Sequence, residues 1–318
     1  MVIIQLAGGL GNQMFQYALY VQLKSLGREV KIDDVAGFVE DGQRTPALSP
    51  FGIAYERPSE EELRRMLDSS PMLWHKVRRK LLGRHKKAYF EEGKLFMPEV
   101  LTWDDIYLEG YWQTEKYFRQ VEKEVREAYD TDKLTAYLRR SGCWGTGAVS
   151  GKRKTAQDYL DEINNTCSVS LHVRRGDYLT PENQVLFGGI CTDAYYIEGI
   201  RQMREKFPGC RFFLFTNDRE WAARQFSENG SKGSAVFADG ILSDMTWIDL
   251  PGSGDNDYTE FVLMSCCKHH ILANSSFSWW ASYLNKNQEK TILAPQRWLN
   301  GTDDSDFYRA DMRKIVLS

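Results

Sequence analysis

The chain lacks the features that most readily assign a sequence to a class of protein. Its six cysteines are scattered, form no Cys-x-x-Cys pair and have no histidine at the spacing of a metal site, which argues against a zinc module or a disulfide framework. No apolar run approaches the roughly 20 residues that a helix needs to cross a bilayer. Residues 1–6 carry no basic segment and no small-residue cleavage site, so we expect a first β-strand there and not a signal peptide.

A strong net charge is also absent. The 318 residues include 41 Lys and Arg and 44 Asp and Glu, for a net charge of -3, which argues against a global basic surface for nucleic acid. We expect reduced thiols and a cytoplasmic protein. The local exception is the segment 76–87, where basic residues cluster close to Trp74, Leu81 and Leu82. It has two interpretations, a solvated helix face or a patch that rests peripherally on the anionic surface of the inner membrane.

Patterns typical of strands and helices alternate along the chain. Val2–Leu6 has the pattern of a strand, a glycine-rich turn follows it, and apolar residues at helical spacing run from Gln13 to Leu26. In the second half, Val169–Val173 and Arg211–Phe215 have strand patterns, and a helical pattern follows each of them. This alternation predicts a mainly parallel sheet in each half.

A segment rich in glycine and serine, residues 141–151, has no periodicity and is predicted to connect two domains. We therefore predict an α/β protein with two Rossmann-like domains, residues 1–154 and residues 155–318. Two such domains that face each other across a cleft form the arrangement called GT-B, and this is the architecture that the pattern favours.

The most informative segment is 172–178, HVRRGDY, at the end of an apolar strand. Open α/β sheets bind ligands at the carboxyl ends of their strands, and arginine offers a charged planar fork of donors that fits phosphate. Arg174 and Arg175 therefore predict a site for a phosphorylated ligand, and the alternative is a surface arginine paired with Asp177. His172 shares a strand face with Arg174. It is either a neutral hydrogen-bonding group beside that cation or a packed core histidine.

Two further turns are candidates for binding. Asn274, Ser275 and Ser276 lead from an apolar strand into a helix, and a helix N-terminus suits a phosphate. Simple capping of that helix is the alternative. The triplet Thr-Asn-Asp at 216–218 also ends an apolar strand. Its Asp218 either accepts two hydrogen bonds from a guanine edge or caps the next helix.

The first glycine-rich turn nearly matches the dinucleotide-binding fingerprint. It runs from Gly8, and Asp33 and Asp34 follow about twenty residues later, but Met14 stands where the third glycine is needed. An NAD-dependent oxidoreductase is therefore a disfavoured alternative. Three Asp-x-Asp pairs occur, and none follows a clear apolar strand, so we predict no metal site and no cofactor.

Taken together, the motifs resemble those of glycosyltransferase family 11, the α-1,2-fucosyltransferases, over nearly the whole chain. They are GGLGNQMFQY at 8–17, LEGYWQ at 108–113, HVRRGDY at 172–178, and the segments 263–265, 268–269 and 274–280. The resemblance implies an inverting, metal-independent transfer of L-fucose from GDP-β-L-fucose to O2 of a terminal galactoside. It also implies a GT-B fold with the acceptor domain in the N-terminal half and the donor domain in the C-terminal half.

The resemblance also implies roles for single residues. Arg174 corresponds to the arginine that binds the donor's β-phosphate, and His172 corresponds to a residue beside the nucleoside. Asp218 corresponds to an acid that reads guanine, but this chain has Thr-Asn-Asp at 216–218 where the family more often has Ser-Asp-Asp. The remaining donor-site residues are the second phosphate-binding element and a loop that reaches the cleft, namely Asn274, Ser275, Ser276, Phe277, Gly11 and Asn12.

Three points stay open from the sequence. Asp177 and Glu182 are both candidates for the catalytic base that takes the proton of the acceptor hydroxyl. Tyr111 and Trp112 form either an aromatic platform beneath the acceptor sugar or part of the core. The acceptor is a lactose-like sugar, an N-acetyllactosamine-type end or a lipid-linked O-antigen or capsule precursor. A non-catalytic GDP-binding protein is the second alternative function.

Overall fold

The computed structural model describes residues 1–39, 41–42, 44–69, 72–82, 86–144, 154–225, 244–250 and 256–317. Nine side chains within these ranges lie outside the description, those of Leu73, Val77, Arg79, Leu81, Leu82, Asp177, Leu179, Glu182 and Gln225. The chain divides into two units, Met1–Ala128 with Ser305–Phe307 and Tyr129–Asp304 with Tyr308–Ser318. Each unit has its own parallel sheet, so the predicted α/β class with two Rossmann-like halves is confirmed.

Unit 1 contains a four-stranded sheet in the order β2-β1-β4-β3, and its strand pairs are parallel. The central strand β1 is buried along most of its length, as expected for a parallel strand with both faces covered. The elements are β1 (Val2–Ala7), α1 (Leu10–Ser25), β2 (Val30–Gly37), α2 (Glu60–Met66), α3 (Leu73–Leu82), β3 (Ala88–Phe90), β4 (Ile106–Glu109) and α4 (Glu122–Ala128).

Unit 2 contains a six-stranded sheet in the order β10-β9-β8-β5-β6-β7, again with parallel pairs. Its central strand β5 is buried at every position. The elements are α5 (Thr131–Arg140), α6 (Ala156–Asn165), β5 (Ser168–Val173), α7 (Pro181–Phe187), α8 (Asp193–Lys206), β6 (Arg211–Thr216), α9 (Arg219–Gln225), β7 (Met245–Trp247), α10 (Asn256–Cys266), β8 (His269–Ile271), α11 (Ser276–Leu284), β9 (Ile292–Pro295) and β10 (Met312–Ile315).

The division between the units falls after Ala128, earlier in the chain than the position 154 that the glycine- and serine-rich segment suggested. The physical reason is that the chain from Tyr129 onward packs on unit 2. The ring of Tyr129 meets the ring of Trp280 edge to face, with centroids 5.2 Å apart. The residues 145–153, which include most of the predicted connection, lie outside the described residues.

The glycine-rich turn after β1 is held by buried glutamines of α1. The side chain of Gln16 accepts a hydrogen bond from the Ala7 amide at 3.0 Å and donates to the Gly110 carbonyl at 2.7 Å. Gln13 donates to the Gly8 carbonyl at 2.8 Å. These bonds join the turns after β1 and β4. Both glutamines of the first motif therefore stabilise the backbone of these turns. Among the described residues, no helix combines the length and the apolar character that spanning a membrane requires.

Gly110 generates a stability prediction, because a side chain there would meet a buried wall. A Cβ added at Gly110 would lie 2.5 Å from Cβ of Glu91, whereas a Cβ at Gly93 would meet nothing within 4 Å. Overpacking of this kind costs about 1–3 kcal/mol. We expect Gly110→Ala to lower the free energy of unfolding by that amount in urea denaturation, and Gly93→Ala to leave it nearly unchanged. Equal midpoints for the two variants would contradict this reading of the packing.

Candidate functional site

The candidate site lies where the chain order of the unit 2 sheet reverses. From the central β5 the chain continues outward to β6 and β7, and it then returns to the other side of β5 with β8. The turns that leave the carboxyl ends of two such strands run in opposite directions and leave a crevice between them. The turn after β5 carries Arg174, and the turn after β8 carries Asn274 and Ser275. Both segments predicted to bind phosphate therefore flank one crevice.

A hydrogen bond joins these two turns. The hydroxyl of Tyr178 donates to the carbonyl of Asn274 at 2.8 Å. The guanidinium carbon of Arg174 lies 5.5 Å from the centroid of the Tyr178 ring, and that ring stacks on Phe187 with centroids 4.5 Å apart. Tyr178 thus contacts Arg174 with its ring and the loop before α11 with its hydroxyl, so the cation and this helix N-terminus are held together.

The side chains at the start of α11 hold the loop in place. Ser275 is the N-cap, and its hydroxyl accepts from the amide of Phe277 at 3.3 Å. The side chain of Asn274 is buried, and it donates to the Trp298 carbonyl at 3.1 Å and accepts from the Cys191 thiol at 3.4 Å. Capping therefore accounts for the Ser275 hydroxyl. The start of α11 also carries the positive end of the helix dipole, which suits an anion, and Ser276 there is half-buried.

His172 lies beside this start of α11 and is uncharged. Burial lowers the pKa of His172 to about 3, and the positive charge of Arg174 adds to the shift. Its ring centroid is 5.8 Å from that of Phe277. The Nδ1 atom is buried and has no hydrogen-bond partner within the described part of the protein. A buried polar atom without a partner is costly, which favours a hydrogen-bonding role toward a ligand over the role of a packed core histidine.

Asp218 has two partners within the protein. One carboxylate oxygen accepts from the amide of Trp221 at 2.9 Å, as a helix cap does, and the other lies 3.4 Å from Nε of Arg175. The sequence left a guanine-reading acid and a helix cap as equal interpretations. The structure therefore shows the cap, and the contact of Asp218 with guanine stays a prediction, since each carboxylate oxygen can accept a second hydrogen bond.

The sequence analysis missed Glu260, near the start of α10, and considered Asp257 only as a member of one of the three Asp-x-Asp pairs. This helix leads into β8, so its N-terminus lies near the carboxyl ends of the strands, as Arg174 does. Burial raises the pKa of Glu260 to about 8, and the negative charge of Asp257 adds to the shift. Burial also raises the pKa of Asp257, and Arg174 opposes that effect. Two carboxyl groups three residues apart, ahead of the apolar run 261–264, were the available sequence signal.

A cavity of about 430 Å³ opens beside Arg174 and Asn274, within the usual size range of small-molecule sites. Its wall combines two arginines and several aromatic rings with one carboxylate, Asp193. The lining residues include Arg174, Arg175, Tyr178, Phe187, Trp221 and Asn274.

In unit 1 the predicted residues also come together at a switch point, between β1 and β4. The side chain of Gln113 donates to Oδ1 of Asn12 at 2.6 Å. Gly8 has a φ of +74°, and a Cβ there would lie 2.7 Å from Nδ2 of Asn12, so the tight turn requires glycine. Gly11 follows within the first turn of α1. The structure therefore gathers the LEGYWQ motif and the first motif at one edge of this sheet.

Asp33, the candidate ribose-binding acid of the oxidoreductase alternative, is occupied by the protein. Its carboxylate accepts from the amides of Val35 and Ala36 at 3.0 and 3.1 Å and from the hydroxyl of Tyr107 at 2.8 Å. Asp34 accepts from Tyr55 and is paired with Arg57 at 2.7 Å. These contacts account for both acids structurally and weaken the dinucleotide interpretation further.

Trp112 and Tyr111 have different surroundings. Trp112 is completely buried, and its ring lies edge to face on Tyr117 with centroids 5.7 Å apart. A ring packed in this way offers no face to a sugar, so in this structure Trp112 is a core aromatic. Tyr111 keeps part of its surface exposed, and the hypothesis of an aromatic platform therefore depends on Tyr111 alone.

The two candidate bases lie in the two short helices that follow β5. Asp177 is in the short 3-10 helix Gly176–Leu179 and Glu182 is in α7, but both side chains lie outside the described residues. Within the described ranges, no three His, Cys, Asp or Glu side chains are grouped so that they could hold a metal ion.

The geometry can be compared with known proteins. The model of the family described as glycosyl transferase family 11 matches residues 148–314, slightly more than half of the chain. The chain belongs to glycosyltransferase family 11. This family 11 member is therefore an enzyme, a glycosyltransferase, as the motifs predicted. The matched region contains the crevice of unit 2 with Arg174, His172 and the start of α11.

Three relatives illustrate the family. The family 11 chain is 28% identical to an alpha-1,2-colitosyltransferase of Escherichia coli, over 96% of this chain and 95% of that protein. It is 25% identical to the O-antigen biosynthesis glycosyltransferase WbnK of Escherichia coli, over 94% and 95%. It is 31% identical to the galactoside alpha-(1,2)-fucosyltransferase 1 of Ateles belzebuth, over 36% of this chain and 28% of that protein.

The raised pKa of Glu260 predicts how the stability of this family 11 enzyme depends on pH. In the folded state Glu260 keeps its proton up to about pH 8, whereas in the unfolded state a glutamate loses it near pH 4.3. Its contribution to stability is therefore present at low pH and is lost as the pH rises through this window. We expect Glu260→Gln to exceed the wild type in stability to thermal unfolding by much less at pH 5 than at pH 8.5.

Asp257→Asn serves as the control for that measurement, because Arg174 offsets part of the rise in the Asp257 pKa. It should change the difference between pH 5 and pH 8.5 less than Glu260→Gln does. A Glu260→Gln variant whose difference from the wild type is the same at both pH values would show that Glu260 is ionised in the folded protein.

Proposed function

We propose that the enzyme transfers L-fucose from GDP-β-L-fucose to O2 of a terminal galactoside, with inversion at the anomeric carbon and without a metal ion. The observation that carries this proposal is the crevice of unit 2, where Tyr178 holds Arg174 beside the positively polarised start of α11. The family membership and the α-1,2-fucosyltransferase among the relatives support fucose as the transferred sugar.

The reaction breaks the bond between the fucosyl carbon and the β-phosphate oxygen. As GDP leaves, positive charge develops on the sugar ring and negative charge on the diphosphate. Arg174 and the N-terminus of α11 stabilise the second charge from fixed positions, so little reorganisation is needed during the reaction. Because two positive groups of the protein face the diphosphate, the proposed reaction needs no bound cation.

The nucleoside is proposed to lie on the His172 side of the crevice. The neutral His172 offers Nδ1 as a hydrogen-bonding atom, and the ring of Phe277 lies next to it. A neutral histidine avoids adding a second positive charge next to Arg174, so the anionic part of the donor is drawn to Arg174 and the uncharged base to the histidine. This division of charge fits a nucleoside diphosphate better than an inorganic anion.

Inversion requires that the acceptor hydroxyl attack from the face opposite the leaving GDP and lose its proton. Asp177 and Glu182 remain the two proposed bases, one or the other taking this proton. We assign the acceptor to unit 1, where Tyr111 follows the carboxyl end of β4. Gly11 and Asn12 keep the donor-site role that the resemblance implies. An O-antigen precursor is the proposed acceptor class, on the name of one relative.

A second donor is favoured by a specific observation, because one relative covering nearly the whole chain is named a colitosyltransferase. Colitose is fucose without the hydroxyl at C3, so the two GDP-sugars present the same diphosphate and the same base. They differ in one hydroxyl, which a site either hydrogen-bonds or leaves without a partner. A site built for that hydroxyl discriminates strongly against the deoxy sugar.

The proposal is tested with purified protein, labelled GDP-fucose and a panel of galactosides, in buffer with EDTA. We expect transfer to O2 at an undiminished rate in EDTA and a product of α configuration. Arg174→Ala should lower kcat by about 100- to 1000-fold, because it removes a donor aimed at the leaving group. Arg201→Ala is the matched control, since Arg201 lies on α8 and pairs only with surface glutamates in the contacts described; it should keep full activity.

Each of the other outcomes would support a different function or mechanism. Binding of GDP without transfer to any acceptor would indicate a non-catalytic protein, and binding of NAD in place of GDP would indicate an oxidoreductase. Transfer of colitose at a higher kcat/KM than fucose would replace the donor and leave the mechanism intact. Loss of activity in EDTA, restored by a divalent ion, would overturn the metal-independent part.

We also propose that the basic segment 76–87 rests on an anionic membrane surface. Helix α3 carries Lys76 and Lys80 as exposed residues, and next to them Trp74 and Met72 are 78% and 66% exposed. Exposed lysines beside exposed apolar side chains are typical of helices that lie in a membrane interface. Two of the basic residues are already paired, Arg78 with Asp68 and Lys87 with Asp105, so the lysines of α3 carry the attraction.

Vesicle binding tests this patch. We expect the protein to sediment with phosphatidylglycerol vesicles and not with phosphatidylcholine vesicles. Since each lysine near such a surface contributes about 1 kcal/mol, Lys76→Glu with Lys80→Glu should weaken partitioning by about 30-fold or more. Lys123→Glu with Lys133→Glu makes the same change of charge on α4 and α5 and should have little effect. Equal losses in the two variants would instead indicate an ordinary solvated helix.

A further inference from the structure

The turn that presents Arg174 is fixed from the neighbouring strand. β5 and β6 are paired in register, with Val173 opposite Thr216, so the residues after Thr216 lie alongside the residues after Val173. In sequence terms these are two polar segments that end neighbouring strands. In the structure the second segment holds the first through side-chain contacts of Asn217 and Asp218.

Asn217 makes the backbone contact. Its side-chain oxygen accepts a hydrogen bond from the amide of Arg175 at 2.9 Å. The next residue, Gly176, has a φ of +37°, and a Cβ there would lie 2.5 Å from Nδ2 of Asn217. The asparagine side chain therefore fits directly against the backbone of the turn. Any shift of Asn217 would allow the peptide on the carboxyl side of Arg174 to move.

Asp218 and Trp221 hold the second arginine. Nε of Arg175 lies 3.4 Å from the Asp218 carboxylate, and the guanidinium carbon lies 5.1 Å from the centroid of the Trp221 ring. The same carboxylate accepts from the amide of Trp221, so the acid and the ring form one unit at the start of α9. Arg175 is thus neutralised by Asp218 and stacked on Trp221 of α9. Arg174 instead contacts the ring of Tyr178.

We propose that Asn217 and Asp218 are positioning residues that fix the turn 174–176, so that the Arg174 guanidinium meets the diphosphate of the donor. This inference rests on the proposed function, because it concerns the same leaving group. A planar guanidinium binds phosphate through two parallel hydrogen bonds, and such sites lose strength when their supporting groups leave the geometry loose. Asn217 supports the backbone, and Asp218 keeps Arg175 from competing for the same anion.

The test measures binding of GDP and of guanosine by calorimetry to folded variants. Asn217→Ala removes the acceptor for the Arg175 amide and should weaken GDP binding about tenfold, while guanosine, which has no phosphate, should bind within twofold of the wild type. Asn217→Asp keeps an acceptor oxygen at the same position and should restore GDP binding to within threefold of the wild type. The kcat for transfer should follow the same order.

Asn287→Ala is the matched control. Asn287 also binds a backbone group with its side chain, donating to the Lys268 carbonyl at 3.0 Å. Lys268 directly precedes β8, so this bond lies at the amino ends of the strands, away from Arg174. We expect this variant to lose stability in thermal unfolding and to bind GDP like the wild type. A second variant, Asp218→Asn, should lower GDP affinity less than Asn217→Ala, because the cap on Trp221 is kept.

The outcomes separate this inference from the proposed function. If the wild type does not bind GDP, the proposed function fails. If the wild type binds GDP and Asn217→Ala binds it equally well, or loses guanosine to the same extent, the positioning role is overturned and the proposed function stands. A loss of GDP affinity that Asn217→Asp does not restore would also overturn the role assigned to the acceptor oxygen.

Discussion

The hydrogen bond from the Tyr178 hydroxyl to the Asn274 carbonyl is the contact on which the candidate site depends. It joins two turns that belong to different strands and are about a hundred residues apart in the chain. Without it, Arg174 and the start of α11 would be two separate weak sites for an anion. With it, the cation and the helix dipole are held side by side, and fixed groups of this kind can stabilise developing negative charge without reorganising during a reaction.

Burial keeps two titratable groups in this part of unit 2 uncharged. His172 is uncharged because it is buried next to Arg174, and Glu260 retains its proton up to about pH 8 because it is shielded from water and faces Asp257. Arg174 therefore lies beside the neutral His172 at the carboxyl ends of the unit 2 strands. Arg175 adds little to the field because Asp218 lies against it. A nucleoside diphosphate matches this arrangement, with an anionic centre and an uncharged base.

The sequence anticipated the class of fold and the principal motifs because both depend on local signals. Alternating strand and helix patterns predict parallel sheets, and polar turns at strand ends predict ligand-binding edges. It could not assign Asp218, since a cap and a guanine contact require the same residue type at the same spacing. It also left Trp112 open between an acceptor platform and a core aromatic, because its burial depends on Tyr117 and the rest of unit 1. Glu260 was missed because its raised pKa arises from burial and from a neighbour on the next helical turn.

By itself the sequence determined the two Rossmann-like halves, the arginine at the end of β5 and the capped helix after β8, because strand periodicity, charge and capping residues act over a few neighbouring positions. Only the tertiary structure decided which turns meet. The order β8-β5-β6 brings Asn274 to one side of Arg174 and Asn217 to the other, and strand order is set by packing over the whole sheet. The division after Ala128 was decided in the same way, since Tyr129 packs on Trp280, which is distant in the sequence.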